Sequence, residues 1–507
     1  MKRKDKILAG AIYGYITLPV FIFVVGWLRW YWAILFGTLI LVAWYKCVKQ
    51  DMVCYSLVFT KASRAKLFGA FLIVCIWVYL SGIGGMCYQN SDHSIRSAVY
   101  RALVEYKWPV VSKDGMRGLS YYIGFWLPAA VIGKMTKFGI GYLFQAVWAV
   151  LGIYMTYVLV SIWRKKVSLW PLWVMIGFSG LDYVGYWLLS GAGKGFPFFM
   201  HLEWWAEDYQ FTAMTTQLFC VFNQAVPAWL ATMLICLTGK NKKNLLYILG
   251  TLILSSTFPF VGLLPITLVY LFKGFKLCRE SLKEIITLQN MVGVFVIGGV
   301  SFLFLVGNVQ VVNTAAKQSN VVAIEDTMLQ HSEENLLEEI PVEQRPIDMF
   351  IRLSSLLKYG MFLLLEVGVY LIAIYSKQRK NIFWYVCIAI LCLCPLIRVG
   401  GEKDFCMRAS IPALFIVMLM CIESVDMFWR EKDKVVLYIL VGLFAIGCIT
   451  PFNEVHRNIY ETVRLTNQRE TVRYQEVGTE SLFLPISNFS GSVEQSIFYE
   501  IFAKKVK

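Results

Sequence analysis

Charge is scarce in this chain. Only 16% of its 507 residues are Asp, Glu, Lys or Arg, while 58% are hydrophobic. A soluble protein of this length cannot hide that much apolar surface, so a soluble globular class is excluded. Acid is scarcer than base: 33 Asp and Glu stand against 48 Lys and Arg, a net charge of +15. The basic residues sit in short clusters between apolar runs. That pattern marks cytoplasmic loops facing anionic membrane lipid, and no nucleic-acid partner is expected. Nucleotide and hydrolase motifs are missing as well. There is no P-loop, G-x-G-x-x-G, H-E-x-x-H or G-x-S-x-G, so nothing points to an ATP-driven pump or to a serine or zinc hydrolase. The thirteen cysteines show no metal-type spacing, and nothing calls for a disulfide between Cys87 and Cys406.

What is present is a series of apolar runs approaching the ~20 residues that cross a bilayer as a helix. Backbone amides in lipid must be paired internally, so the spans are helical. We expect an all-α, polytopic transmembrane bundle of about thirteen spans: 7–27, 31–45, 67–86, 139–162, 169–189, 218–237, 245–256, 260–272, 286–306, 356–375, 382–396, 409–427 and 435–450. The pair 245–256 and 260–272 is short and carries Pro259 and Pro265, so a shallow hairpin also fits. The basic start, Lys2 to Lys6, puts the N-terminus in the cytoplasm, with no cleavable signal peptide expected. Residues 119–132 are apolar but short. A full crossing there would place Arg164, Lys165 and Lys166 outside, so an interfacial or re-entrant helix is expected instead. The organisation expected is a membrane domain over 1–451 and a short extracytoplasmic tail over 452–507. The domain has outer loops at 87–138 and 308–351. The second loop is acidic, and reads as a solvated linker or a lid.

Three polar clusters fall on the outer side. The first is Asp92 and His93 at the head of an amphipathic segment, with Asn90 or Ser91 as its helix cap and Arg96 one turn on. A carboxylate at the water edge suits a base for a hydroxyl acceptor or a metal ligand; equally, it suits a helix-capping acid paired with Arg96. The second runs from His201 to Gln210 and holds Glu203, Trp204 and Trp205. Carboxylates beside indoles suit sugar recognition, or an aromatic belt. Gln217, Asn223 and Gln224 then enter the next span, where polar side chains face a cavity or bond neighbouring helices. The third runs from Arg398 to Arg408, with Lys403 and Asp404. Its cations suit phosphate, or a snorkelling arginine paired with Asp404. Lys134 stays on the same side. In the middle of spans charge is scarce, apart from Asp182, Glu366 and Glu423.

Four stretches resemble bacterial membrane proteins of the GT-C superfamily, integral-membrane glycosyltransferases that use polyprenyl-phosphate-linked sugars. They are 90–110 (NSDHSIRSAVYRALVEYKWPV), 124–134 (GFWLPAAVIGK), 217–230 (QLFCVFNQAVPAWL) and 404–414 (DFCMRASIPAL). The resemblance implies a GT-C-like fold and an inverting sugar transfer at the outer face of the cell membrane. Asp92 would match the first-loop acid, aided by His93. Arg96, Lys134, Glu203, Trp204, Trp205, Gln217, Asn223, Gln224, Lys403, Asp404 and Arg408 would contact substrate. A polyprenyl-phosphate-linked sugar, a glycan or lipid acceptor and membrane lipids are the implied partners. A divalent cation, Mg or Mn, with Asp92 as its ligand, is left open. The chain departs from the pattern in two ways: two spans precede the one leading to Asp92, and no second spaced acid accompanies it. The rival expectations are a polysaccharide polymerase or O-antigen-ligase-like enzyme, and a non-enzymatic transporter of lipid-linked oligosaccharide.

Overall fold

The computed structural model describes residues 3–55, 59–190, 196, 198, 200–239, 241–276, 278–307, 349–399, 403–474, 477–484 and 488–505. The acidic loop expected over 308–351 lies outside them up to residue 348. Three long helices open the chain: α1 (Arg3–Trp27), α2 (Trp30–Gln50) and α3 (Arg64–Leu80). Then come α4 (Asp92–Glu105), a three-residue strand β1 (Arg117–Leu119), α5 (Leu127–Met135) and α6 (Phe138–Trp163). α7 (Trp170–Gly177) and α8 (Asp182–Ser190) are two halves of one apolar run. α9 (Met214–Thr238), α10 (Leu245–Leu252), α11 (Thr257–Phe272) and α12 (Leu288–Gly307) follow. The last part holds α13 (Ser355–Gln378), α14 (Ile382–Leu396), α15 (Asp404–Ala409), α16 (Ile411–Glu431), α17 (Lys434–Gly447) and α18 (Ile449–Asn467), and ends near strand β2 (Ser490–Ser492).

Among the described residues, ten helices are long and apolar enough to cross a membrane; α11 and α14 are shorter apolar helices. The protein is an all-α, polytopic helical chain. The expectation of about thirteen spans counted 245–256 and 260–272 separately. The structure makes them a hairpin: Lys242, just before α10, and Lys273, just after α11, line the same cavity. Pro259 falls in the first turn of α11, where a missing amide costs nothing. α5, in the short stretch read as interfacial or re-entrant, has only nine residues, about half what a crossing needs.

Contacts sort the loops into two ends. At one end, Asn241 bonds the Gln50 carbonyl, Arg164 pairs with Asp426 at 2.6 Å, and Lys377 pairs with Glu431. The basic clusters gather there. At the other end lie α4, the 200–210 segment and α15. The chain's last residues strap across this second end. β2 pairs antiparallel with β1, Lys504 N donates to the Trp27 carbonyl, and Gln89 N donates to the Val472 carbonyl. Position 451 falls inside α18, and a described part of the following segment packs on α4, with Val477 N donating to the Ser94 hydroxyl at 3.2 Å. Packed between this segment and α5, α6 and α9, α4, read as a helix lying in the membrane surface, is mostly buried.

α9 forms the centre, buried along its membrane window. It bends at Val221, whose backbone (φ −132°, ψ 33°) leaves the helical region. Gln217 braces the bend, donating to the Thr212 carbonyl at 2.7 Å and accepting from Trp229 at 2.8 Å. A second close contact sets α15: a Cβ on Gly262 of α11 would sit 1.9 Å from the Ala409 carbonyl oxygen. Only glycine allows α15 to rest on α11 there.

Candidate functional site

A cleft of about 550 Å³ opens at the end opposite the basic loops. Its walls include Asn90, Ser91 and Asp92 from the first cluster, His201, Trp204 and Gln210 from the second, and Lys403 and Asp404 from the third. Three segments far apart in sequence thus meet around one space.

Asp92 opens α4. Ser91 occupies the cap position but its side chain makes no capping bond; the first turn is closed by backbone, His93 N donating to the Asn90 carbonyl at 3.0 Å. The Asp92 side chain is 47% exposed, into the cleft, and pairs with buried Arg96 at 3.4 Å. Burial pushes its carboxyl up, but Arg96, with smaller help from a hydrogen bond to Cys220 and from Arg408, holds it below the usual carboxylate range. Asp92 is therefore an ionised group facing a semi-enclosed space. Arg96 also lies 6.0 Å over the Phe222 ring, and it serves Asp92 without lining the cleft itself.

His93 points the other way. It is 2% exposed, stacks on Phe222, and its Nε2 donates to the Phe219 carbonyl at 3.1 Å, two residues before the α9 bend. Burial, with Arg96 nearby, lowers its pKa to about 4. A neutral imidazole spent on a backbone carbonyl does not reach the cleft. Its sequence neighbour on α4 does, because adjacent helical residues diverge by about 100°.

The second cluster splits in the same manner. Trp204 is 58% exposed in the cleft wall, its ring 4.8 Å from that of His201. Trp205 is buried, with Nε1 donating to Glu366 at 2.8 Å. Glu203 is buried too, accepting from Gln210 at 3.0 Å and from Ala213 N at 2.9 Å, and burial pushes its carboxyl well above the usual range. It braces the loop. Gln217, Asn223 and Gln224 are buried in α9 and are not among the cleft-lining residues. Cys220, beside the bend, does line the cleft, and its sulfur accepts from Asn90 at 3.2 Å.

In the third cluster, Lys403 and Asp404 face the cleft. Arg408 lies one turn behind, clamped to Asp404 at 2.8 Å and to the Tyr122 hydroxyl at 3.1 Å. Lys134 is elsewhere: its ammonium caps α4, donating to the Val104 and Tyr106 carbonyls at 2.9 and 2.6 Å. A cation at a helix C-terminus is a favourable structural pairing. Cys87 and Cys406 are both free thiols.

One constellation went unread in the sequence. His201 Nδ1 lies 3.1 Å from Glu454 Oε1, Arg457 donates to His201 Nε2 at 3.0 Å, and Arg457 also pairs with Glu454 at 2.6 Å. Glu454 and Arg457 lie on α18, one turn apart. Their spacing of three on a polar helix was the available signal. The carboxylate holds the imidazole with hydrogen on Nδ1, and the guanidinium holds the other nitrogen, so the ring is oriented at the cleft wall.

Among the described residues no group of three or more His, Cys, Asp or Glu side chains is placed to hold a metal ion. No protein-family model, curated protein or solved structure matches this chain.

Proposed function

We propose that this protein is a GT-C-type glycosyltransferase that moves a sugar from a polyprenyl-phosphate donor to a cell-envelope glycan or lipid acceptor at the outer face of the cell membrane. The observation that carries the reading is the convergence of Asp92, Trp204 and Lys403 on one cleft at the end of the bundle away from the basic loops. Basic loops favour the cytoplasm, so the cleft opens outward. The exposed Trp204 face offers a platform for a pyranose ring. Asp92 accepts the acceptor hydroxyl proton as the new bond forms from that oxygen to the anomeric carbon, on the face opposite the leaving group. The bond from that carbon to the phosphate oxygen breaks, and the phosphate departs with the electron pair. Lys403 offsets the charge that develops, with Arg408 behind it. An Asp92 carboxylate of low basicity suits a reaction in which the leaving group moves ahead of the nucleophile. No step is assigned to a divalent cation.

The test uses the purified chain and a panel of radiolabelled polyprenyl-phosphate sugars, beside Asp92→Asn and Asp92→Ala. One donor should release sugar, and each variant should lower turnover by about 10²–10⁴-fold while keeping its elution profile. Undiminished turnover in Asp92→Ala sinks the assignment.

A second reading, a transporter of lipid-linked oligosaccharide, is favoured by a different feature. The run 170–189 breaks at 178–181, where Leu181 N bonds the Leu365 carbonyl at 3.0 Å. Asp182 follows the break and is hydrogen-bonded to Glu366. Broken helices with paired acids occur at transport sites. Translocation of a fluorescent lipid-linked sugar into vesicles, lost in Asp182→Asn but intact in Asp92→Ala, would choose this reading.

A further inference from the structure

A larger cavity, about 840 Å³, lies at the basic end, remote from the cleft. Its inner wall is apolar: Leu237 from α9, Phe383 from α14, and Leu419 and Met420 from α16. Its rim is polar. Lys242 and Lys273 stand at the two feet of the α10–α11 hairpin, and Glu423 stands on α16. Gln378 donates to Glu423 at 3.1 Å, which holds that carboxylate at the rim. At the cavity edge Tyr270 of α11 lies close against Gly239, where a Cβ would meet the ring at 2.2 Å.

We propose that this cavity is a binding site for a phospholipid of the basic-end leaflet whose headgroup joins a phosphodiester to a hydrogen-bond donor, as in phosphatidylglycerol or phosphatidylethanolamine. Each part of the rim and wall has a counterpart in such a molecule. Two ammonium groups flank the phosphate as point charges. Glu423 accepts from the headgroup hydroxyl or ammonium, and disfavours a headgroup with a second negative charge. Leu237, Leu419 and Met420 receive the acyl chain. A quaternary headgroup offers no donor, so phosphatidylcholine fits poorly. The surrounding clusters, Arg164 to Lys166 and Lys377 to Lys380, raise the local supply of anionic lipid. The site is independent of any chemistry in the cleft.

The experiment is photocrosslinking of the full chain in nanodiscs. Phosphatidylglycerol carrying a diazirine on its acyl chain is compared with matched phosphatidylcholine, and labelled peptides are mapped. Peptides holding Leu237, Phe383 and Met420 should take up about tenfold more of the first lipid. Lys242→Glu with Lys273→Glu should bring that labelling down to the phosphatidylcholine level, while labelling at α2 and α3 stays unchanged. A separate variant, Met420→Trp, keeps both lysines and narrows the acyl-chain wall; it should lower the label as well. Equal labelling by the two lipids overturns the proposal, as does full labelling in both variants. Displacement by millimolar inorganic phosphate would assign the lysines to a free anion and overturn the lipid site.

Discussion

Trp204 and Trp205 are neighbours in the chain and face opposite directions. The ring of Trp204 stands in the cleft beside His201, whereas Trp205 is buried and donates its indole hydrogen to Glu366 at 2.8 Å. A short 3-10 turn over Leu202–Ala206 produces this divergence, since adjacent residues on such a turn point about 120° apart.

The two indoles should therefore fail differently. Trp204→Ala should leave thermal stability within about 0.5 kcal/mol and raise KM for the sugar donor with little change in kcat. Trp205→Ala should cost about 3–5 kcal/mol and leave Glu366 short of a donor. Unfolding midpoints and steady-state kinetics on both variants check this. An unchanged KM in Trp204→Ala removes the stacking role.

His93 makes stability depend on pH. Its pKa falls to about 4 when buried, against about 6.5 in an unfolded chain. Between those values the unfolded state binds the extra proton. The contribution is thus fully present above about pH 6.5 and is lost as pH falls through about 4. Over that window it amounts to about 3 kcal/mol. The unfolding midpoint of the wild type should drop between pH 7 and pH 4 by more than that of His93→Gln, which keeps a donor for the Phe219 carbonyl and does not titrate. Parallel pH profiles would show that the imidazole is not buried as described.

Arg408 tests the charge behind the cleft. It is clamped between Asp404 and Tyr122, and Lys cannot reproduce a two-sided guanidinium clamp. Arg408→Gln should lower kcat by about 10²-fold, the scale for losing one charge-stabilising group. Arg408→Lys should retain part of the rate. The ratio of the two rates in a single-turnover assay is the measurement. Equal rates in both variants would mean that geometry, not charge, is what Arg408 supplies.

Much of the architecture was legible because lipid imposes a simple rule on sequence: long apolar runs become helices, and basic loops gather at one end. The hairpin at 245–272 was legible in part, through short runs and prolines. The three polar clusters were legible as islands, and all three contribute to the cleft. Which side chain of each island faces it was not. Asp92 faces it and His93 does not, Trp204 does and Trp205 does not, and Lys134 caps α4 instead. Periodicity assigns residues to the faces of a helix without saying which face a neighbour covers. The segment packed over α4 comes from far along the chain, as in the bond from Val477 N to the Ser94 hydroxyl, 383 positions apart.

The sequence alone determined that this is a helical membrane protein with one basic end, because hydrophobic length and charge distribution are properties of the linear chain. It also marked where polar groups cluster outside the spans. Only the tertiary structure decided that these clusters share one space, that His201 is held by Glu454 and Arg457 from α18, and that the segment 477–483 closes over α4. Those facts rest on contacts between residues hundreds of positions apart. Such contacts form because buried polar groups require partners, and in a packed bundle the nearest partner is set by which helices adjoin.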